Sequence, residues 1–202
     1  MCSSDLVGVT WRDWVGDAEA ALKDLLGEVD QAVVIGLSMG GLAALLLAIE
    51  HPQGLAGVVA IAPALRLADP TVRFVPLLAR VRTWVDLPMR AYSDPELARL
   101  NTNYTRIPIT ALEELLAMQR ALEPRLAEVR VPLLVVGARH DRLVRPSSVT
   151  TVHQRAGSLD KRLIWFERSG HEMLRDIERE AVMDVVDAYV MERSAAFIAD
   201  RR

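Results

Sequence analysis

Residues 31–41, Gln-Ala-Val-Val-Ile-Gly-Leu-Ser-Met-Gly-Gly, decide how this chain folds. Gln31 to Gly36 is a short β-branched apolar run closed by glycine, the composition of a strand buried on both faces of a parallel sheet. From Ser38 to Glu50, leucine and alanine cover nearly every face, which predicts a helix at the centre of a domain. Gly57 to Ile61 repeats the buried-strand pattern and ends at Ala62-Pro63. Strand, helix and strand within about thirty residues make a βαβ unit, so the expected fold class is α/β with a mostly parallel sheet.

Upstream, Thr10 with Asp13 three positions on predicts an N-cap for a helix carrying Trp11, Trp14, Ala18, Ala21, Leu22 and Leu25, running to about Gly27. Met1 to Leu6 has neither helical period nor strand alternation, so the chain enters its fold late. Downstream, from Leu65 to about Val129, helical segments are broken by Pro70, Pro76, Pro88, Pro95, Pro108 and Pro124, with no strand signal between them. Thr110 and Glu113 form a capping box for a helix bearing Leu112, Leu115, Leu116 and Leu122. This stretch is several times longer than one crossover requires, and it reads as a helical cap laid across the strand ends rather than as ordinary crossover helices.

Buried-strand composition returns at Pro132 to Gly137 and again at Arg162 to Phe166, with a helix from about Pro146 to Ala156 between them. A last helix from about Asp176 places Val182, Val185, Val186, Tyr189 and Val190 at helical spacing. The expected organisation is a single domain, with a core over about 7–64 and 130–202 and a cap over about 65–129.

The chain has 202 residues, of which 51% are hydrophobic and 25% charged, the balance of an ordinary globular protein able to form a proper core. Its formal net charge is −3, and the basic residues are dispersed among acidic ones, which argues against a nucleic-acid partner. Cys2 is the only cysteine, so an intrachain disulfide is excluded. The longest apolar stretch, Gly40 to Ile49, is too short to span a bilayer, and no charged-then-apolar signal segment opens the sequence. No stable membrane insertion is expected, and the expected location is the cytoplasm.

Gly36-Leu37-Ser38-Met39-Gly40 fits a nucleophile elbow, in which a sharp strand-to-helix turn lifts a serine hydroxyl above the sheet. The alternative is a glycine-rich packing turn, and the position between a buried strand and a buried helix favours the elbow. Flanking glycines are expected because the turn leaves no room for Cβ atoms on either side. The first N–H groups of the following helix are unpaired and lie at its positive end, making the backbone amide of Met39 an oxyanion donor.

Asp141 follows the strand ending at Gly137 by a few residues, and His171 follows the strand ending at Phe166 within Ser169-Gly170-His171-Glu172. Both thus fall at carboxyl ends of strands, where open α/β sheets bind ligands. Asp141 alone reads equally well as a loop aspartate bonded to neighbouring arginines. The chain order serine, acid, histidine, each after a separate strand, is that of an α/β hydrolase with a Ser-His-Asp triad. His51 sits at a helix end, His153 within a surface helix and His140 in a loop, and no pair has metal-ligand spacing. No metal or cofactor is expected. The chemistry implied is acyl transfer to water through an acyl-enzyme on Ser38, with His171 as general base and Asp141 orienting it.

Thr10-Trp-Arg-Asp-Trp14, Gly36-Leu-Ser-Met-Gly-Gly41, Ala62-Pro-Ala64, Gly137-Ala-Arg-His-Asp141 and Ser169-Gly-His-Glu172 together resemble the small bacterial carboxylesterase and monoacylglycerol lipase group of α/β hydrolases. The resemblance covers nearly everything after residue 8. It implies hydrolysis of carboxylic esters without a cofactor, a helical cap at the position already noted, and a small-molecule ester with an apolar acyl chain as partner. Relatives begin with further strands and a His-Gly loop that supplies a second oxyanion N–H, and nothing before Thr10 resembles these. The expectation is therefore an N-terminally truncated chain with its first strands missing, a long apolar sheet edge, and turnover reduced about 10²- to 10³-fold. Hydrolysis of an amide, thioester or peptide by the same residues, or a non-catalytic hydrolase domain, are the other readings. The sequence does not specify the natural ester or the oligomeric state.

Overall fold

A four-stranded parallel sheet carries the fold in the computed structural model, which describes residues 3–87, 91–99 and 103–200. In chain order the elements are α1 (Trp11–Leu26), β1 (Ala32–Leu37), α2 (Met39–Glu50), β2 (Leu55–Ile61), α3 (Val75–Leu78), β3 (Trp84–Asp86), α4 (Pro95–Arg99), β4 (Arg106–Pro108), α5 (Ile109–Leu122), β5 (Leu133–Ala138), α6 (Pro146–Arg155), β6 (Lys161–Phe166) and α7 (Arg179–Asp200). The sheet order is β1-β2-β5-β6, with every neighbouring pair parallel, as the mostly parallel α/β reading requires. Cys2 and Pro88 lie outside the described residues.

Side-chain alternation divides the interior in two. On β2, Val58 and Ala60 face one core while Val59 and Ile61 face the other, and β5 does the same with Leu133 and Val135 against Leu134 and Val136. The first core is filled by α2, whose residues Gly41 to Ala48 are all buried, and receives Leu22 of α1, Met118 and Leu122 of α5 and Val149 and Val152 of α6. The second is closed by Val182, Val186 and Tyr189 of α7 together with Met173. A strand with helices on both sides buries both faces, which is why β2 and β5 are near-continuous apolar runs. Burial pushes the Tyr189 phenol up to about 12.

The register places the carboxyl ends of all four strands on one rim. Leu37 pairs with Ile61, Ile61 with Val136, and Ala138 with Phe166. Loops leaving that rim carry Ser38, Asp141 and His171.

Four details differ from the sequence reading. The first strand is shifted by one residue, to Ala32–Leu37, and is not buried on both faces. It pairs only with β2 among the described residues, leaving Ile35 45% exposed. The 65–129 stretch is not purely helical, because β3 and β4 form a two-stranded antiparallel ribbon within it. The Thr110–Glu113 capping box does not form. Pro108 occupies the N-cap without a side-chain bond, and the N–H of Ile109 is taken by the Thr83 carbonyl at 3.0 Å. The last helix starts at Arg179 rather than near Asp176. At α1, by contrast, Thr10 and Asp13 form the reciprocal capping box.

Candidate active site

Ser38 stands where β1 turns into α2, at φ 57° and ψ −116°, a strained backbone for a residue with a side chain. The turn is closed by three backbone hydrogen bonds: Ser38 N–H donates to the Ile61 carbonyl at 2.8 Å, and the Ser38 carbonyl accepts from Gly41 and Ala64, each at 3.1 Å. Gly36 is indispensable to it, since a Cβ there would stand 2.1 Å from the Gly40 carbonyl oxygen. Gly40 is not crowded in this way. A Cβ on it would meet nothing within 4 Å, whereas one on Gly41 would lie 3.2 Å from the Gly36 oxygen and 3.3 Å from Pro63 Cα. The expectation of crowding on both sides of the serine is thus corrected: the tight positions are Gly36 and, one turn into the helix, Gly41.

The Ala62–Ala64 turn behind Ser38 is itself held in place. Ala62 takes φ 41° at the end of β2. Buried Ser148 of α6 donates from Oγ to the Pro63 carbonyl at 2.6 Å and accepts the Arg66 N–H at 3.0 Å. Buried Gln119 of α5 donates from Nε2 to the Ala64 carbonyl at 2.6 Å. Each side chain satisfies a backbone group that no strand or helix partner reaches.

His171 Nε2 lies 2.8 Å from Ser38 Oγ, and His171 Nδ1 lies 2.8 Å from Asp141 Oδ2. The imidazole and the Asp141 carboxylate are 6% and 3% exposed. The other carboxylate oxygen of Asp141 accepts the N–H groups of Leu143 and Val144, both at 2.8 Å, so its orientation is set by its own loop. Arginine contacts, the other reading of Asp141, are not what holds it. Met39 opens α2 directly after Ser38, leaving its N–H ahead of the intrahelical ladder.

The remaining histidines stay apart from this group. His51 bonds Glu19 at 2.8 Å at the end of α2, His140 is exposed in the turn before Asp141, and His153 lies in the last turn of α6. Among the described residues, no three His, Cys, Asp or Glu side chains gather to hold a metal ion. No helix among them is long and apolar enough to cross a membrane.

A cavity of about 880 Å³ opens onto Ser38 and His171. Its walls come mostly from the 65–129 stretch, with Val75, Leu78, Val85, Ile107, Leu112 and Leu115 making them largely apolar. Tyr92, Asn103 and Glu172 provide polar groups beside His171. Burial, and next the charge of Glu172, push the Tyr92 phenol up. Sequence reasoning missed Gln119, Ser148 and Asp176, the last described below, because each serves backbone groups brought near it only by the tertiary fold. A polar residue among the leucines of α5 was the one local signal available.

Comparison with known proteins agrees with this architecture. Residues 8–178 match the family described as serine aminopeptidase, S33. A carboxylesterase of Bacillus subtilis (strain 168) is 24% identical over 179 residues, spanning 88% of this chain and 71% of that protein. A thermostable monoacylglycerol lipase of Bacillus sp. (strain H-257) is 25% identical over 202 residues, spanning 96% of this chain and 73% of that protein. A structure from work on the metagenome-derived lipolytic enzymes LipS and LipT superposes with a TM-score of 0.88 at 24% identity, covering 95% of this chain and 78% of its own, a likeness of fold. By its parallel sheet and the family match over most of its length, the chain belongs to the serine aminopeptidase S33 family and is an α/β hydrolase similar to carboxylesterases and monoacylglycerol lipases.

Proposed function

We propose that the protein hydrolyses carboxylic esters through an acyl-enzyme on Ser38, as a carboxylesterase or monoacylglycerol lipase. The observation that carries this reading is the continuous contact from Ser38 Oγ through the His171 imidazole to Asp141, at 2.8 Å in each step, on the floor of a largely apolar cavity. With its proton on Nδ1, the imidazole donates to Asp141 and presents Nε2 to accept the serine proton. Ser38 Oγ then attacks the ester carbonyl carbon and His171 becomes an imidazolium stabilised by Asp141. The Met39 N–H, at the positive end of α2, donates to the oxyanion. Collapse of the tetrahedral intermediate breaks the ester C–O bond, and the imidazolium gives its proton to the departing alcohol. Water repeats the sequence on the acyl-serine and releases the acid.

The apolar walls favour a small ester with an apolar acyl chain. The test is a p-nitrophenyl ester series of increasing chain length, read against Ser38→Ala. Hydrolysis that Ser38→Ala abolishes is expected, and no rate above that control at any chain length ends the proposal. A second reading, peptide or amide hydrolysis, is favoured by Glu172 on the cavity wall next to His171, which offers a substrate ammonium a counter-charge. Aminoacyl p-nitroanilides cleaved faster than any ester would select it.

A further inference from the structure

The loop that brings His171 to Ser38 has a long way to go. β1 and β6 are the two edges of the four-stranded sheet, so at roughly 4.8 Å per strand spacing the chain leaving Phe166 crosses about 14 Å of sheet rim before its imidazole meets the serine. No regular element supports that crossing between β6 and α7.

Two carboxylates support it: Glu178 accepts the N–H groups of Arg168 and Ser169 at its start, and Asp176 holds the part next to the imidazole. Asp176 is fully buried, and its two oxygens accept four backbone N–H groups. Oδ2 takes Gly170 at 2.6 Å and Ser93 at 2.7 Å, while Oδ1 takes Ile177 at 2.9 Å and Asp94 at 3.4 Å. Two of these donors belong to the His171 loop and its continuation, and two to the stretch that walls the cavity. On the other side of His171, the N–H of Glu172 donates to the Ala91 carbonyl at 2.9 Å. Residues 170 and 172, immediately flanking the imidazole, are therefore both tied to the 91–94 segment, one directly and one through Asp176. The fit leaves no slack, because a Cβ on Gly170 would stand 2.7 Å from the Ala91 oxygen and 3.1 Å from the Ser93 nitrogen.

We infer that Asp176 is a positioning residue for the reaction, a buried carboxylate that locks the His171 loop to the Ala91–Asp94 wall segment and so sets the imidazole against Ser38. The inference rests on the ester-hydrolase reading above. Asp176 touches neither the reacting atoms nor the imidazole, and it acts only through the backbone on either side of His171. Replacing one oxygen with an amide nitrogen turns an acceptor into a donor facing other donors, so Asp176→Asn lets the loop part from the wall. A shift of about 1 Å at the imidazole is enough to cost on the order of 10²-fold in turnover.

The experiment compares wild type, Asp176→Asn, Gly170→Ala and Ser38→Ala. It follows kcat and KM on the best ester, with active-site titration to count folded enzyme, and the downfield proton resonance of the His171 Nδ1–H bonded to Asp141. Asp176→Asn is expected to lower kcat on the order of 10²-fold per titrated site, with KM within about twofold, and to broaden or lose the imidazole resonance without substrate present. Gly170→Ala wedges the same two segments apart without altering a polar group and is expected to show the same pattern, which keeps the test decisive should Asp176→Asn not fold. Wild-type kcat and an intact resonance in a folded variant overturn the inference. Absence of Ser38-dependent hydrolysis in the wild type instead overturns the ester-hydrolase reading, and the resonance then still decides whether Asp176 holds His171.

Discussion

His171 Nε2 stands 2.8 Å from Ser38 Oγ although 133 residues separate them and their strands are at opposite edges of the sheet. Such an approach has a sharp consequence for reactivity. In the proposed mechanism the imidazole at that distance takes the serine proton, so a fluorophosphonate probe should label the wild type and fail to label Ser38→Ala or His171→Ala. Asp141→Asn should keep the fold and lose about 10⁴-fold in turnover by favouring the wrong tautomer. Undiminished labelling of His171→Ala would remove the imidazole from the mechanism.

The glycines of the elbow should respond unequally. Gly36→Ala forces a Cβ to within 2.1 Å of the Gly40 oxygen, while Gly40→Ala meets nothing within 4 Å. Thermal denaturation is expected to show Gly36→Ala destabilised by about 1–3 kcal/mol or failing to fold, with Gly40→Ala close to wild type. Equal melting temperatures would contradict the geometry.

Gln119 offers a stability test away from the reacting groups. Gln119→Leu removes the donor to the Ala64 carbonyl and strands that oxygen in the interior, at a cost of about 1–3 kcal/mol. Urea unfolding measures it. Because the same turn braces the Ser38 carbonyl, a parallel fall in kcat is expected, smaller than that of any substitution at Ser38 or His171.

Acid should weaken the loop that carries His171. Burial works to push the Glu178 carboxyl up, but the N–H groups of Arg168 and Ser169, the Ser169 side chain and the Arg168 charge outweigh it and hold the group below its usual value of 4.5. A carboxyl depressed in the folded state contributes stability that is fully present above its unfolded value and is lost as pH falls through its folded value. Glu178→Gln should therefore be less stable than wild type at pH 7 and indistinguishable from it once both are below that window, as read by urea midpoints across pH. A constant difference at every pH would show that its charge is irrelevant.

The open side of β1 should make the protein self-associate. Among the described residues the side of β1 away from β2 has no strand partner, and Ile35 is 45% exposed. Sedimentation velocity over a concentration series is expected to reveal association that Ile35→Lys reduces. A wild type that stays monomeric at high concentration would refute it.

Most of the frame was legible because it depends on local composition. Two-sided burial leaves apolar runs such as those of β2 and β5, an all-apolar helix such as α2 has to be central, and a polar residue just past a strand's end is conspicuous. On that basis Ser38, Asp141 and His171 can be nominated one by one, and the structure brings them together. Other features were not legible. β3 and β4 are three residues each, too short to show alternation. The exposure of Ile35 depends on which strand lies alongside β1, and the burial of Asp176 on two segments about 80 residues apart in sequence meeting around it, neither of which leaves a periodic trace.

The division of labour around the cavity bears on how this protein can change. The three side chains proposed to move protons hang from strand ends, whereas the walls of the cavity come largely from the excursion between β2 and β5. Substitutions in that excursion can alter which molecules are admitted while the reacting groups stay in register, so selectivity can drift through evolution without rebuilding the chemistry. The exception is Ala91 to Asp94, where the excursion is bonded to the backbone around the histidine. There, under the proposed mechanism, a change in what the protein admits would also be a change in how fast it works.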